Sequence, residues 1–128
     1  KKKSPEVDVA IASIKENGKI LLVQSPAGNM LEGLWELPGG KVEKNESIKE
    51  ACVREIKEET GMSIRVDRKM GTVKHAYTHL KVRLHIFEAS IKDHKKNGSR
   101  RLIWTNVNEI ETLPIPTGTK KALSIIRK

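Results

Sequence analysis

The chain has 128 residues, enough for one domain around one core, with 37% hydrophobic residues and a single cysteine, Cys52. One cysteine excludes an internal disulfide, and no apolar run approaches the length that spans a bilayer. The formal net charge of +9 is uneven: residues 1–61 carry ten Lys/Arg against eleven Asp/Glu, and residues 62–128 carry fifteen against five. A basic half beside an acidic half suits a phosphate-bearing partner, either a nucleotide or a nucleic-acid backbone. No signal peptide is visible, no membrane partner is expected, and a reducing interior such as the cytoplasm is the expected location.

Lys1 to Pro5 reads as a basic lead-in or linker. Val7–Ile14 alternates, with Val7, Val9 and Ile11 on one face and Ala10, Ala12 and Ile14 on the other, and predicts a strand. Asn17-Gly18 is a strong hairpin signal, so Ile20–Val23 is the expected return strand. Ser25–Gly33 reads as a loop, and Leu34–Leu37 as a short strand feeding a turn at Gly39-Gly40. Ser47 followed by Glu50 is a capping box and Gly61 suits a left-handed end, which predicts a helix between them. Ile64–His75 predicts a strand with a bulge or bend at Gly71. In Leu80–Ser90, Val82, Leu84 and Ile86 alternate with Lys81, Arg83 and His85, which predicts another. Lys92–Arg101, with Asn97-Gly98, reads as a basic loop, and Leu102–Thr105 as a strand. Asn106–Ile110 predicts a turn of helix. Beyond Pro114 and Pro116, Thr117–Arg127 predicts a last helix with Ala122, Leu123, Ile125 and Ile126 on its apolar side. Periodicity supports α plus β and nothing finer.

The chemistry concentrates in Gly40–Met62. Glu55, Glu58 and Glu59 stand at i, i+3 and i+4, which puts three carboxylates on one helix face. Like charges so placed repel, and a divalent cation with a taste for hard oxygen ligands, Mg2+ or Mn2+, removes the conflict. Ile48, Cys52, Val53 and Ile56 offer the other side of the helix to a core. The preceding Gly39-Gly40 lets backbone approach a metal or a phosphate where a side chain would block it.

Gly40, Glu46, Arg54, Glu55, Ile56, Glu58, Glu59, Gly61 and Met62 fill every fixed place of G-x5-E-x7-R-E-U-x-E-E-x-G-U, with U a bulky aliphatic residue. On these residues the chain resembles the Nudix hydrolase superfamily. The resemblance implies an α/β fold, an α/β/α sandwich with a mixed sheet, with residues 1–128 as a single domain. It implies attack of water on phosphorus in a nucleoside diphosphate linked to another group, with Mg2+ as cofactor and Mn2+ as its substitute. By the same resemblance Glu55, Glu58 and Arg54 are catalytic, and Glu55, Glu58, Glu59 and the Gly39 carbonyl hold the metal. Arg54 would pair with carboxylates, Glu46 among them, while Gly40 and Lys41 would meet the substrate's phosphates. Glu55 is the expected general base; the basic loop offers only Asp93 as a substitute.

Two narrower resemblances point to different substrates. Leu34-Trp35-Glu36-Leu37-Pro38-Gly39-Gly40 resembles MutT-type enzymes, which implies a nucleoside triphosphate substrate such as 8-oxo-dGTP. Those enzymes read the purine with an asparagine near the start of the last helix, where this chain has Pro116-Thr117-Gly118. Tyr77-Thr78-His79, with His75 and Leu113-Pro114-Ile115-Pro116, resembles the C-terminal domain of MutY-type adenine glycosylases. That resemblance implies DNA as the partner, with 8-oxoguanine recognised through Tyr77, Thr78 and His79. Residue chemistry alone offers plainer readings. Tyr77 would anchor a loop, Cys52, Trp35 and Trp104 would fill cores, and His75, His79 and His85 show no zinc spacing. Lys92, Lys95, Lys96, Arg100 and Arg101 would be a solvated run.

Overall fold

The computed structural model describes residues 5–29, 31–94 and 98–127. Residues 1–4 of the expected lead-in, and residues 95–97 of the expected basic loop, lie outside the described residues. The hairpin of β1 (Glu6–Glu16) and β2 (Lys19–Gln24) turns on Asn17 and Gly18, both at positive φ (52° and 77°). There follow β3 (Trp35–Glu36), β4 (Gly39–Lys41), α1 (Ile48–Thr60), β5 (Met62–Tyr77), β6 (Leu80–His94) and β7 (Leu102–Asn106). A 3-10 helix (Val107–Thr112) leads to α2 (Thr117–Ile126). The strands form one sheet in the order β3-β2-β1-β6-β5, with β4 on β1 and β7 on β2. Only the central β1–β6 pair is parallel among the described strands, from Glu6↔Lys81 to Ile14↔Ala89, so the sheet is mixed.

The alternation of β1 becomes two cores on opposite faces of that sheet. Ala10, Ala12, Ile14, Leu21, Phe87 and Ala89 pack under Ala51, Cys52 and Ile56 of α1. Ile11, Ile20, Leu22 and Ile86 pack under Ala122, Leu123 and Ile126 of α2. A helix on each face is the α/β/α sandwich. Ile56 and Leu123, each essentially removed from water, stabilise it by about 1.5–3 kcal/mol apiece. Cys52 is buried in the first core, which pushes its thiol up to about 12 and leaves it a packing residue. Trp104 and Trp35 pack against the first and second core respectively.

Helix α1 begins as its capping box requires. The Ser47 Oγ accepts from the Glu50 N–H at 3.0 Å, and the Glu50 Oε1 accepts from the Ser47 N–H at 2.7 Å. At the other end the Gly61 N–H donates to the Lys57 carbonyl with Gly61 at φ 79°. The expected core role of Val53 is not realised: the residue is 37% exposed. The buried stripe runs Cys52, Ile56, Glu59 and Thr60, and Val53 sits about 100° round the helix from Cys52.

Two further departures have physical causes. Gly39-Gly40 is not a turn but strand β4, antiparallel to β1 with Ile11↔Gly39 and Ala10↔Gly40. Strands β5 and β6 outrun their expected limits: β6 continues through Lys92, Asp93 and His94, because β5 starts at Met62 and supplies backbone partners that far. The bulge expected at Gly71 is present, as one of three register shifts that twist this long hairpin. Among the described residues no helix is long and apolar enough to cross a membrane.

Candidate functional site

The face of α1 beside its buried stripe meets strand β4, and Arg54 ties the two together. Its Nε and Nη2 donate to the Glu46 carboxylate at 3.0 and 2.7 Å. Its Nη1 donates to Glu55 Oε2 and Glu58 Oε2, both at 3.2 Å, and Nη2 also reaches the Lys41 carbonyl at 3.0 Å. A guanidinium can serve so many acceptors because its donors lie in one rigid plane. The Arg54 hydrogen bonds, followed by the Glu43 N–H, hold the Glu46 carboxyl at about 2.

Glu55 and Glu59 owe their places to the glycines of β4. A Cβ on Gly40 would stand 2.5 Å from the Glu55 carboxyl carbon and 2.6 Å from each of its oxygens. The missing side chain is therefore the space the Glu55 carboxylate occupies. Burial pushes Glu55 up while Arg54 opposes it. Glu59 is 4% exposed; its Oε1 accepts from the Gly39 N–H at 2.9 Å and its Oε2 lies 3.2 Å from Arg100 Nη2. Burial pushes its carboxyl up to about 7, against both of those partners. Pro38 accepts from Ala12 N–H and Val42 donates to Asp8 carbonyl, so the alternating Gly39 N–H and C=O both face away from β1.

The donor set gathered here is all oxygen: the carboxylates of Glu55, Glu58 and Glu59 and the Gly39 carbonyl. That chemistry fits a hard divalent cation. As they stand the carboxylates are paired to Arg54 and Arg100, and among the described residues no three acids or histidines close around a common point. Binding a cation requires them to turn from guanidinium to metal, a side-chain motion within an existing cluster.

Across β4 lies a cavity of about 220 Å³ with an apolar floor that includes Val9, Ile11 and Leu84. Glu36, Tyr77, Gly118 and Thr119 supply its polar groups and rim, and Gly39 and Gly40 form the wall shared with the carboxylates. Tyr77 is half-buried, stacks edge-on against His75 with ring centroids 4.7 Å apart, and would touch a Cβ on Gly118 at 3.4 Å. Burial, then the nearby Glu36, pushes the Tyr77 hydroxyl up. The Glu36 carboxylate accepts from Ser25 Oγ at 2.8 Å and lies 3.6 Å from Arg100 Nη1.

The remaining expected site residues are dispersed. Thr78 and His79 form the exposed two-residue turn between β5 and β6, outside the cavity lining that Tyr77 joins. Lys41 is exposed at the end of β4, and Asp93 is exposed on β6 opposite Ser63. His85 is buried on the sheet between Asp8 Oδ1 (2.8 Å) and Lys69 Nζ (2.9 Å), in the row of Ala10 and Gly40 with β1 between it and the glycine strand. Arg100, expected in a solvated run, is instead packed between Glu59 and Glu36. One signal for it existed in the sequence: Arg54 alone cannot neutralise Glu46, Glu55, Glu58 and Glu59.

Comparison with known proteins bears on the family and the fold. The family description NUDIX domain matches residues 9–124. The chain is 33% identical over 114 residues to the CTP pyrophosphohydrolase of Escherichia coli (strain K12), covering 85% of this chain and 82% of that protein. It is 31% identical over 86 residues to the 8-oxo-dGTP diphosphatase of Proteus vulgaris, covering 67% and 76%. The crystal structure of a MutT protein from Methanosarcina mazei Go1 superposes with a TM-score of 0.83 at 27% identity, covering 99% of this chain and 95% of that one. A match over nearly the whole length, on a sandwich of the same architecture, means that this chain belongs to the Nudix family and is a Nudix pyrophosphohydrolase.

Proposed function

We propose that the chain hydrolyses a nucleoside triphosphate to a nucleoside monophosphate and pyrophosphate, with Mg2+ as cofactor and Mn2+ as a substitute. The observation that carries the reading is the Glu55 carboxylate seated over Gly40, in the space a side chain would fill, with a base-sized cavity on the other side of the same strand. Glu55, Glu58, Glu59 and the Gly39 carbonyl are the proposed metal ligands. A bound divalent ion supplies neutralisation of phosphate charge and acidifies a water. Glu55, whose proton affinity is raised by burial, is the proposed acceptor of that water's proton. Arg54 holds Glu55 and Glu58 in place, and Lys41 and the Gly40 backbone meet the phosphates.

The base is proposed to sit among Tyr77, Glu36, Gly118 and Thr119. A carboxylate on the rim accepts hydrogen bonds only, so it favours bases that carry an amino group, as cytosine, guanine, oxidised guanine and adenine do, over uracil, whose one ring N–H is flanked by carbonyl oxygens. The relatives named for CTP and for 8-oxo-dGTP fall within that set. The nucleotide pool of the cytoplasm is the proposed place of action, with residues 1–128 as one domain. The test is a metal-dependent screen of CTP, dCTP, GTP, dGTP, 8-oxo-dGTP, ATP and UTP for pyrophosphate release. Turnover of a cytosine or guanine nucleotide should fall at least ~100-fold in Glu58→Gln. Salt-sensitive binding of 8-oxoguanine-containing DNA, lost in Tyr77→Ala and accompanied by no turnover of any nucleotide, would instead establish the DNA reading.

A further inference from the structure

Arg100 is the one side chain that joins the carboxylate cluster to the cavity among the described residues. Its Nη2 lies 3.2 Å from Glu59 Oε2, and its Nη1 lies 3.6 Å from Glu36 Oε2 and 3.4 Å from the Gln24 carbonyl. Its backbone is pinned. The Ser99 and Arg100 N–H groups donate to the Glu58 and Glu59 carbonyls at 3.0 and 3.1 Å, satisfying the free end of α1. Gly98 packs so tightly on the Glu59 backbone that a Cβ there would overlap it. The guanidinium can therefore pivot but the loop cannot carry it away.

We propose that Arg100 is a positioning residue: a resident cation that holds buried Glu59 until a divalent ion takes that carboxylate, and then moves onto Glu36 at the cavity. The inference rests on the metal-dependent reading above. Two cations cannot share one buried carboxylate without strong repulsion, since a nearly dry site screens little. Glu36 is the nearby alternative: the Oε2 that Arg100 already approaches is held in place by the Ser25 Oγ–H, which donates to it. Metal entry is thus coupled to the charge seen by the base: with Arg100 drawn onto it, Glu36 is locked in the orientation that faces the cavity. Removing Arg100 should make metal binding easier and break that coupling. A purely structural role predicts the opposite, looser metal binding from a disordered Glu59.

The experiment measures Mn2+ affinity from the electron paramagnetic resonance signal of the free ion, in wild type, Arg100→Gln, Arg100→Lys and Glu58→Gln. Arg100→Gln should bind Mn2+ roughly fivefold or more tightly, the effect of removing a competing unit charge from a site of low screening. Arg100→Lys, which keeps the charge, should stay near wild type. Unchanged or weaker Mn2+ binding in Arg100→Gln overturns this inference alone. Absence of any Mn2+ binding that Glu58→Gln weakens overturns the metal reading and this inference with it. Should Arg100→Gln not fold, the Arg100 Nε–H resonance of the wild-type protein decides. It must shift on Mg2+ addition, and a resonance that stays put overturns the proposal.

Discussion

Gly39 and Gly40 are neighbours in one short strand, yet the structure predicts different outcomes when each becomes alanine. At Gly40 the three atoms nearest the new Cβ would be the carboxyl carbon and oxygens at the end of Glu55, at 2.5–2.6 Å. That end is flexible, so the strand survives and the carboxylate swings aside by roughly 1 Å, the sort of displacement that costs on the order of 100-fold in rate. At Gly39 the new Cβ would overlap the backbone of Ala10 and Ile11, from a backbone at φ 146° that alanine rarely adopts. Neither can yield without unzipping β4 from β1, so Gly39→Ala should destabilise by ~3 kcal/mol or more. Denaturant melts and turnover measured on the same preparations separate the cases. Gly40→Ala should keep its midpoint within about 1 kcal/mol of wild type while losing turnover. A Gly40→Ala protein with wild-type turnover, or one that loses turnover only by unfolding, would refute the assignment of that space to Glu55.

Arg54→Lys should lower turnover by roughly 100-fold, because one ammonium cannot serve Glu46, Glu55, Glu58 and the Lys41 carbonyl together; a loss under threefold in steady-state assays would contradict it. In metal-free protein, Glu59 at about 7 keeps a proton that the unfolded chain, titrating near 4.5, releases, so stability should fall as pH rises from about 4.5 to 7 and level off above. The decline is about 3 kcal/mol at most, read from denaturant midpoints against pH, and Glu59→Gln should flatten it. Glu36→Gln, which gives the cavity rim a donor as well as an acceptor, should narrow the preference for cytosine or guanine nucleotides over uridine by about tenfold in kcat/KM, measured on the same panel.

What the sequence made legible is what local periodicity can carry. Both faces of β1 are apolar, Val and Ile on one and Ala with Ile on the other, and a strand buried on both sides has to look like that. The ends of α1 were equally plain, since a capping box and a terminal glycine act within a few residues of themselves. Strand β4 was hidden because two of its three residues have no side chains, leaving no alternation to read; its partner β1 makes it a strand. The long ends of β5 and β6 were hidden for a related reason. An exposed hairpin needs backbone partners, not apolar side chains, so Lys92 and Asp93 belong to it despite their polarity.

The same division runs through the site. Glu55, Glu58 and Glu59 could be placed together because helical spacing is itself a distance, whereas Arg100 meets Glu59 only through a loop that caps the far end of α1. Tyr77, Thr78 and His79 are consecutive, but at a two-residue turn consecutive side chains diverge, and only the first reaches the cavity. The intervals of the family pattern can be understood as lengths of this kind. Glu46 stands just before the cap of α1, and Lys41 just after Gly40; Arg54, two turns into the helix, grips both. That double grip seats α1 against β4 in one register, and Glu55 is the next residue along. Its carboxylate has nowhere to lie except over the strand, and the strand has room there only because residue 40 is glycine. The fixed spacing between that glycine, Glu46 and the Arg-Glu pair is therefore the closure condition of a small loop between strand and helix.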